Sequence, residues 1–473
     1  MLARLIALCG LLLFSAGLSA ENAPSLDRFG ARDFPGVAHA VTENGETVLI
    51  EVSGVRELGK EGPILPDTPF LVGSISKSFT ALSIMQLVEA GEIELDAPVS
   101  RYLPEFEGTA AGSIPVHRLL NHTSGFTTAQ GNTTQTDFDE DGEALARRVE
   151  ALVGVEPGNP TGSTHQYSNA NYQLLGRIIE VVSEQTYADY VEENILAPAG
   201  MRDSFVHPAA RSGELAQGHR PWFGGFHALS KNMTGAGSAP QGGIAASARD
   251  MARYMALMMN QKDDILSAQG KARMMRSDDP VAPEYGYGWN IDAGTGRVWH
   301  GGSNAGYDAI VAMLPEKRRG SAVLMNAGSG LAFGRTGELR LGLTSEALGL
   351  EAPEAADATP FVIIFIALCV LPILFLFGIY RAWKRRHEPR RKSRWRTIHF
   401  WLSILLALLL AWGFVFGIPA SFGADIAATI LFVPDFGWLS VATAVTAVLW
   451  ALTTIGLRFA LTPARDQPSP ART

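Results

Sequence analysis

The chain has 473 residues, enough for a large domain plus further segments. Its net charge of −8 offers no general electrostatic grip on nucleic acid or another anionic polymer. Its two cysteines are Cys9 and Cys369, so the sequence between them holds no thiol for a disulfide, a nucleophile or a bound metal, and the 47% hydrophobic content is concentrated toward the two ends.

Residues 1–20 begin with Arg4, continue through the apolar run Leu5 to Phe14 and end in the small residues Ser15 to Ala20. This is the layout of a secretory signal cleaved after Ala20; the apolar run is short for a membrane span, which disfavours an uncleaved anchor. Leu8 before Cys9, and the few residues ahead of it, argue against a lipoprotein site.

A globular domain is expected over 25–350. Val37 to Thr42 and Thr47 to Val52 read as two strands joined by an Asn44-Gly45 hairpin. A long helical pattern runs from Ser74 to Ala90, apolar on most faces and ended by Gly91, so it should be buried. From 96 to 243 the chain is rich in loops and helices, including Val116 to Leu120 and Asn171 to Ser183. Strand patterns return at Arg297 to His300, Ala309 to Leu314 and Ser321 to Asn326, followed by a helix over Glu338 to Leu348. Sheet first and last with helices between predicts an α/β fold, an α+β sandwich whose antiparallel sheet is flanked by helices and interrupted by an all-helical subdomain at 96–243.

Three transmembrane helices are expected after this domain, at 361–380, 399–418 and 438–461, with an outside or interfacial segment at 419–437. The loop 381–397 carries nine Lys and Arg residues against Glu388 alone, which places it in the cytoplasm and the preceding domain outside. The export signal gives the same topology: a multi-pass protein of the inner membrane with its globular domain on the periplasmic or extracellular side. The basic loop is explained by topology and lipid headgroups, and the tail 462–473 is expected to be cytoplasmic.

Three short motifs carry chemistry. Gly73-Ser74-Ile75-Ser76-Lys77 puts a hydroxyl at a helix start and an ammonium one turn later on the same face. Backbone N–H groups there stabilise an oxyanion, and a desolvated lysine can act as base; taken alone the motif also fits a capping serine followed by a surface lysine. Tyr167-Ser168-Asn169 follows a Gly- and Pro-rich run and offers a proton relay and an amide, or simply a turn with an Asn cap. His300-Gly301-Gly302-Ser303 ends a strand where two glycines allow close approach of a ligand, or marks a bulge. No metal cluster or phosphate-binding loop is apparent, and no cofactor is implied.

In this order, and with Leu119-Leu120-Asn121-His122-Thr123-Ser124-Gly125 between the first two, the motifs resemble the serine β-lactamase-like superfamily, particularly its class C, D-aminopeptidase and esterase branches, over Pro35 to Leu348. The resemblance implies Ser74 as acylating nucleophile, Lys77 and Tyr167 as the proton-transfer pair, and Asn169, His300, Gly302 and Ser303 at the substrate. It also implies an oxyanion held by the backbone N–H groups of Ser74 and Ser303. Which of Lys77 and Tyr167 is the base stays open. His122 and its neighbours read as structural, and Tyr285, Tyr287 and Trp289 as core or cleft wall.

One departure shapes the expected substrate. Relatives that hydrolyse β-lactams carry Lys-Thr-Gly where this chain has His300-Gly301-Gly302, and a neutral histidine grips a carboxylate poorly. The expected activity is therefore hydrolysis of a peptide or small-molecule ester or amide, with peptidase, carboxypeptidase and esterase action favoured over β-lactam hydrolysis. The alternative is a slowly deacylating sensor that signals through its spans to a membrane partner, and a third is a scaffold with a vestigial site.

Overall fold

The computed structural model describes residues 26–206, 211, 213–231, 234–354, 357–388 and 393–460. The proposed signal at 1–20, part of the basic loop and the tail 462–473 lie outside the described residues. Two units are distinct: a large one running through Ala356 and including Leu431–Val433, and a helical one made of Asp357–Ile430 and the chain from Pro434 onward.

In the large unit, strands β1 (Gly36–Glu43) and β2 (Glu46–Gly54) form the expected hairpin. Asn44 and Gly45 have φ of 55° and 91°, so both central residues take the left-handed conformation that a tight two-residue turn requires. The short strand β3 (Pro69–Leu71) leads into a turn of 3-10 helix, Gly73–Ile75, which continues as helix α1 (Ser76–Glu89). Helices α2 (Val116–Leu120) and α3 (Asn169–Ser183) follow, with other short helical segments between and after them.

The stretch 96–243 departs from the all-helical expectation beyond Leu196. Strand β4 (Phe205–Val206) joins β3 and β7 (Ile244–Ser247) in a three-stranded sheet, and β5 (His219–Trp222) pairs with β6 (Gly225–Ala228). The β5–β6 turn uses Phe223 and Gly224 at φ of 47° and 88°. A phenylalanine rarely adopts that conformation, which is why the segment does not read as a hairpin.

Helices α4 (Ala248–Met258) and α5 (Ala268–Met274) precede strands β8 (Asn290–Asp292), β9 (Arg297–Asn304), β10 (Tyr307–Leu314) and β11 (Arg319–Met325) and helix α6 (Gly337–Leu348). The main sheet has the order β2-β1-β11-β10-β9-β8, with every pair antiparallel. Val37 lies opposite Met325, so the first and last strands close the sheet.

The alternation of strand side chains builds two cores. Val37, Ile310 and Val323 pack with Leu339 and Leu343 of α6 on one face. Ala38, Val311 and Leu324 join the larger core on the other, together with Phe79, Leu82, Met251 and Met255 from α1 and α4.

The helical unit holds three helices long and apolar enough to cross a membrane: α7 (Thr359–Lys384), α8, whose regular part is Arg394–Trp412 and whose helical continuation reaches Ser421, and α9 (Pro434–Ala460). Large apolar side chains such as Ile363, Ile373, Leu405 and Leu452 are exposed on them, an arrangement that suits lipid rather than water. The helices begin two to five residues before the spans read from sequence. The segment expected to be outside or interfacial, 419–437, contains a short helix, Ile426–Phe432.

Candidate active site

Ser74 sits in the turn that opens α1, and Lys77 follows one turn later. Lys77 is fully buried, and its Nζ donates to Ser74 Oγ at 3.1 Å and to the main-chain oxygen of Gln241 at 2.8 Å. Among the described residues it has no carboxylate partner. Burial without an anion pushes the ammonium well below the ordinary lysine range, so its neutral form is accessible as a proton acceptor. A surface lysine beside a capping serine is thereby excluded.

Two glycines let β9 approach that turn. Gly73 has a φ of 54°, and a Cβ on it would collide with Ser303 N and stand 2.8 Å from the Gly302 carbonyl carbon. A Cβ on Gly302 would collide with Val72 O and stand 3.2 Å from Ser74 N. Strand β8 pairs with β9 only from Arg297 to Trp299, so beyond His300 this edge of β9 is left to the nucleophile turn. Backbone nitrogens of Ser74 and Ser303 are thus brought side by side, the layout that can hold a developing oxyanion. The His300–Ser303 motif lies inside β9, which extends to Asn304, instead of ending it. Asn304 Nδ2 donates to Gly242 O at 2.9 Å, tying the strand to the Gly242-Gly243 turn.

Tyr167 and Asn169 come from the loop before α3. The Tyr167 ring lies 4.8 Å from Lys77 Nζ, and its buried hydroxyl faces Ser74 with geometry short of a full hydrogen bond. Burial raises its pKa far above the usual tyrosine value, so it remains a phenol that can donate a proton. Asn169 Nδ2 donates to Asn132 Oδ1 at 2.9 Å, leaving its oxygen buried and unpaired.

His122 was legible only as a structural residue, yet it grips both neighbours of Tyr167. Its main-chain oxygen accepts from Gln166 N at 2.9 Å, and its Nδ1 accepts from Ser168 N at 3.2 Å and from Asn171 Nδ2 at 2.9 Å. Its ring centroid is 4.3 Å from that of Tyr167. An Nδ1 that accepts from a backbone N–H must be unprotonated, and burial together with Lys77 holds the imidazole pKa well below its usual value.

Tyr285 also belongs to the site wall: its hydroxyl is 3.1 Å from His300 Nε2. His300 Nδ1 contacts Gly301 O at 2.6 Å. Burial, with Lys77 nearby, pushes His300 down to about 3, so it faces the site as a neutral imidazole. Trp289, by contrast, is a core residue stacked near Tyr254. A signal for both outcomes existed in the Tyr-Gly-Tyr-Gly-Trp run, but spacing alone could not sort wall from core. No group of three or more His, Cys, Asp or Glu among the described residues is placed to hold a metal ion.

A family model described as Beta-lactamase matches residues 23–344. Among curated proteins, protein flp of Staphylococcus aureus strain MRSA252 is 26% identical over 390 residues, covering 80% of this chain and 77% of flp. Penicillin-binding protein 4 of Amycolatopsis lactamdurans is 29% identical over 346 residues, covering 68% and 87%. Among solved structures, the octameric penicillin-binding protein homologue from Pyrococcus abyssi superposes with a TM-score of 0.59 at 27% identity, covering 72% of this chain and 79% of that one. A class C beta-lactamase gives 0.57 at 23% identity, covering 69% and 94%, which supports the fold alone.

Proposed function

Since the chain belongs to the beta-lactamase family, we propose that it hydrolyses an ester or amide through an acyl-Ser74 intermediate. One observation carries the reading: Lys77, buried and without a carboxylate, lies 3.1 Å from Ser74 Oγ. An unpaired buried ammonium is costly to keep, and activation of the adjacent hydroxyl is a use that explains it.

Ser74 Oγ attacks the substrate carbonyl as its proton passes to neutral Lys77. The oxyanion is held by the N–H groups of Ser74 and Ser303. As it collapses, the bond to the leaving group breaks and that group takes a proton from Tyr167 or Lys77. Water then attacks the acyl carbon, Ser74 regains its proton, and the carboxylic acid departs. Asn169, His300 and Gly302 border the substrate. The neutral state of His300 supports D-amino-acid peptides or esters over β-lactams that need a cation for their carboxylate.

The three apolar helices and the basic loop support a multi-pass protein of the inner membrane whose catalytic domain lies on the periplasmic side. They also favour a second reading, because three spans exceed what tethering needs: a slowly deacylating sensor of cell-wall peptides or β-lactams. Time-resolved intact-mass analysis of the full-length protein and of Ser74→Ala, with an activated ester, a D-alanyl peptide and a penicillin, tests both. Transient acylation with turnover is the expected result; a persistent adduct favours the sensor, and equal acylation of Ser74→Ala overturns the mechanism.

A further inference from the structure

We propose that Tyr285 and His300 act as one positioning link that holds Tyr167 in place to protonate the leaving group. The proposal rests on the acyl-serine reading and gives a task within it to two side chains that act through Tyr167 instead of gripping the substrate.

The direction of the link follows from what each atom can do. His300 Nδ1 lies 2.6 Å from Gly301 O, which can only accept, so Nδ1 carries the proton of the neutral imidazole. Nε2 is then the acceptor, and the Tyr285 hydroxyl at 3.1 Å donates to it. Burial keeps the ring neutral, so the arrangement holds near neutral pH. His300 is 3% and Tyr285 1% exposed, and both imidazole nitrogens are engaged. A side chain so committed has no ring nitrogen left for a substrate carboxylate.

What the link holds is set by the chain on either side of it. Strand β8 stops pairing with β9 at Trp299, so His300 is the first residue of β9 beyond that edge strand. Tyr285, from the loop before β8, takes hold of β9 there. Three residues on, the same strand brings Ser303 N to the nucleophile turn. The Tyr285 ring meets the His122 ring edge-on at 4.9 Å and the Tyr167 ring at 6.3 Å, and the Tyr167 ring lies 6.1 Å from that of His300. One hydrogen bond thus ties the oxyanion strand to the wall around Tyr167. The Tyr167 hydroxyl must reach the departing atom as its bond to the acyl carbon breaks, and a misplacement of about 1 Å can cost about a hundredfold in rate.

The test uses full-length protein in detergent and two butyrate esters: p-nitrophenyl, whose leaving anion departs without a proton, and trifluoroethyl, whose alkoxide needs one. The ratio of their kcat/KM values is compared among wild type, Tyr285→Phe, His300→Leu, the double variant and His300→Gln, because any loss of folded enzyme cancels in it. In Tyr285→Phe and in His300→Leu the trifluoroethyl ester is expected to lose about tenfold more than the nitrophenyl ester. The double variant should lose no more than either single one, since each removes the same link, and His300→Gln, which keeps an acceptor, should recover part of the ratio. An unchanged ratio in either single variant, or effects that multiply in the double, would overturn the proposal while leaving the hydrolase intact. Absence of any adduct at Ser74 with both esters would instead overturn the acyl-serine reading beneath it.

Discussion

Among the described residues of the large unit two lysines are buried, one at the start of α1 and one in α5, and they are held in opposite ways. Lys271 is 1% exposed, and its Nζ donates to Asp264 at 2.8 Å and to Asn260 Oδ1 at 2.7 Å. Lys77 is 0% exposed and has only a hydroxyl and a main-chain oxygen as hydrogen-bond acceptors. Charge is matched by charge in α5, where the lysine ties a helix to the loop before it. At Ser74 the charge is unmatched, which favours the neutral amine. The difference separates a lysine held in an ion pair from one whose neutral form is accessible, although neither spacing nor burial alone distinguishes them.

The largest expected effect is at Lys77. In Lys77→Met, acylation of Ser74 by an activated ester should slow by about 10²–10⁴-fold, while the melting temperature stays level or rises because an unpaired buried amine is gone. A lower melting temperature with acylation intact would make Lys77 the structural member of the pair. In the wild-type protein the acylation rate should fall as pH is lowered, since the protonated amine cannot accept from Ser74, with its midpoint below the usual lysine range.

His122 sharpens the comparison by acting at one remove. Replacement by Phe strips the acceptor from Ser168 N and Asn171 Nδ2, and the displaced Tyr167 should slow acylation by about ten- to a hundredfold. Asn tolerates the φ of 58° found here and supplies an acceptor, so His122→Asn should recover part of the rate. Equal rates for the two variants would limit His122 to packing.

Histidine extends the same contrast. His39, buried against Ser321 Oγ at 3.1 Å, is pushed down to about 4 by desolvation, against 6.5 in the unfolded chain. The unfolded chain takes up a proton that the fold refuses, so stability should fall as pH drops below about 6.5 and level off near 4. The loss at pH 5 is about 2 kcal/mol, visible as a lower melting temperature than at pH 7 and reduced in His39→Gln.

The smallest effect is expected at Lys271. Its replacement by Met leaves Asp264, 30% exposed, without its cation and should cost about 1 kcal/mol of stability with turnover unchanged. A drop in turnover with stability intact would erase the contrast with Lys77.

Local rules made much of the fold legible. Asn44-Gly45 specifies a tight turn by conformational preference, short apolar runs mark β1, β10 and β11, and the apolar length of α7, α8 and α9 exceeds what a helix of the globular part needs. Ser74, Lys77, Tyr167 and His300 were legible for a different reason, as short motifs in a recognisable order. The β5–β6 hairpin was not legible, because it sets a phenylalanine at positive φ that only its surroundings can enforce.

The sequence by itself determined which groups are present, that Ser74 and Lys77 open one helix while Tyr167 and Asn169 precede another, and that the apolar ends differ from the middle, since these follow from residue type and spacing along one chain. Only the tertiary structure decided that Lys77 lies in the core without an anion, that His122 and Tyr285 wall the site while Trp289 does not, and that the Asn169 amide oxygen is buried unpaired. Desolvation and hydrogen-bond pairing depend on what other segments bring to the same point in space, and no local pattern records that.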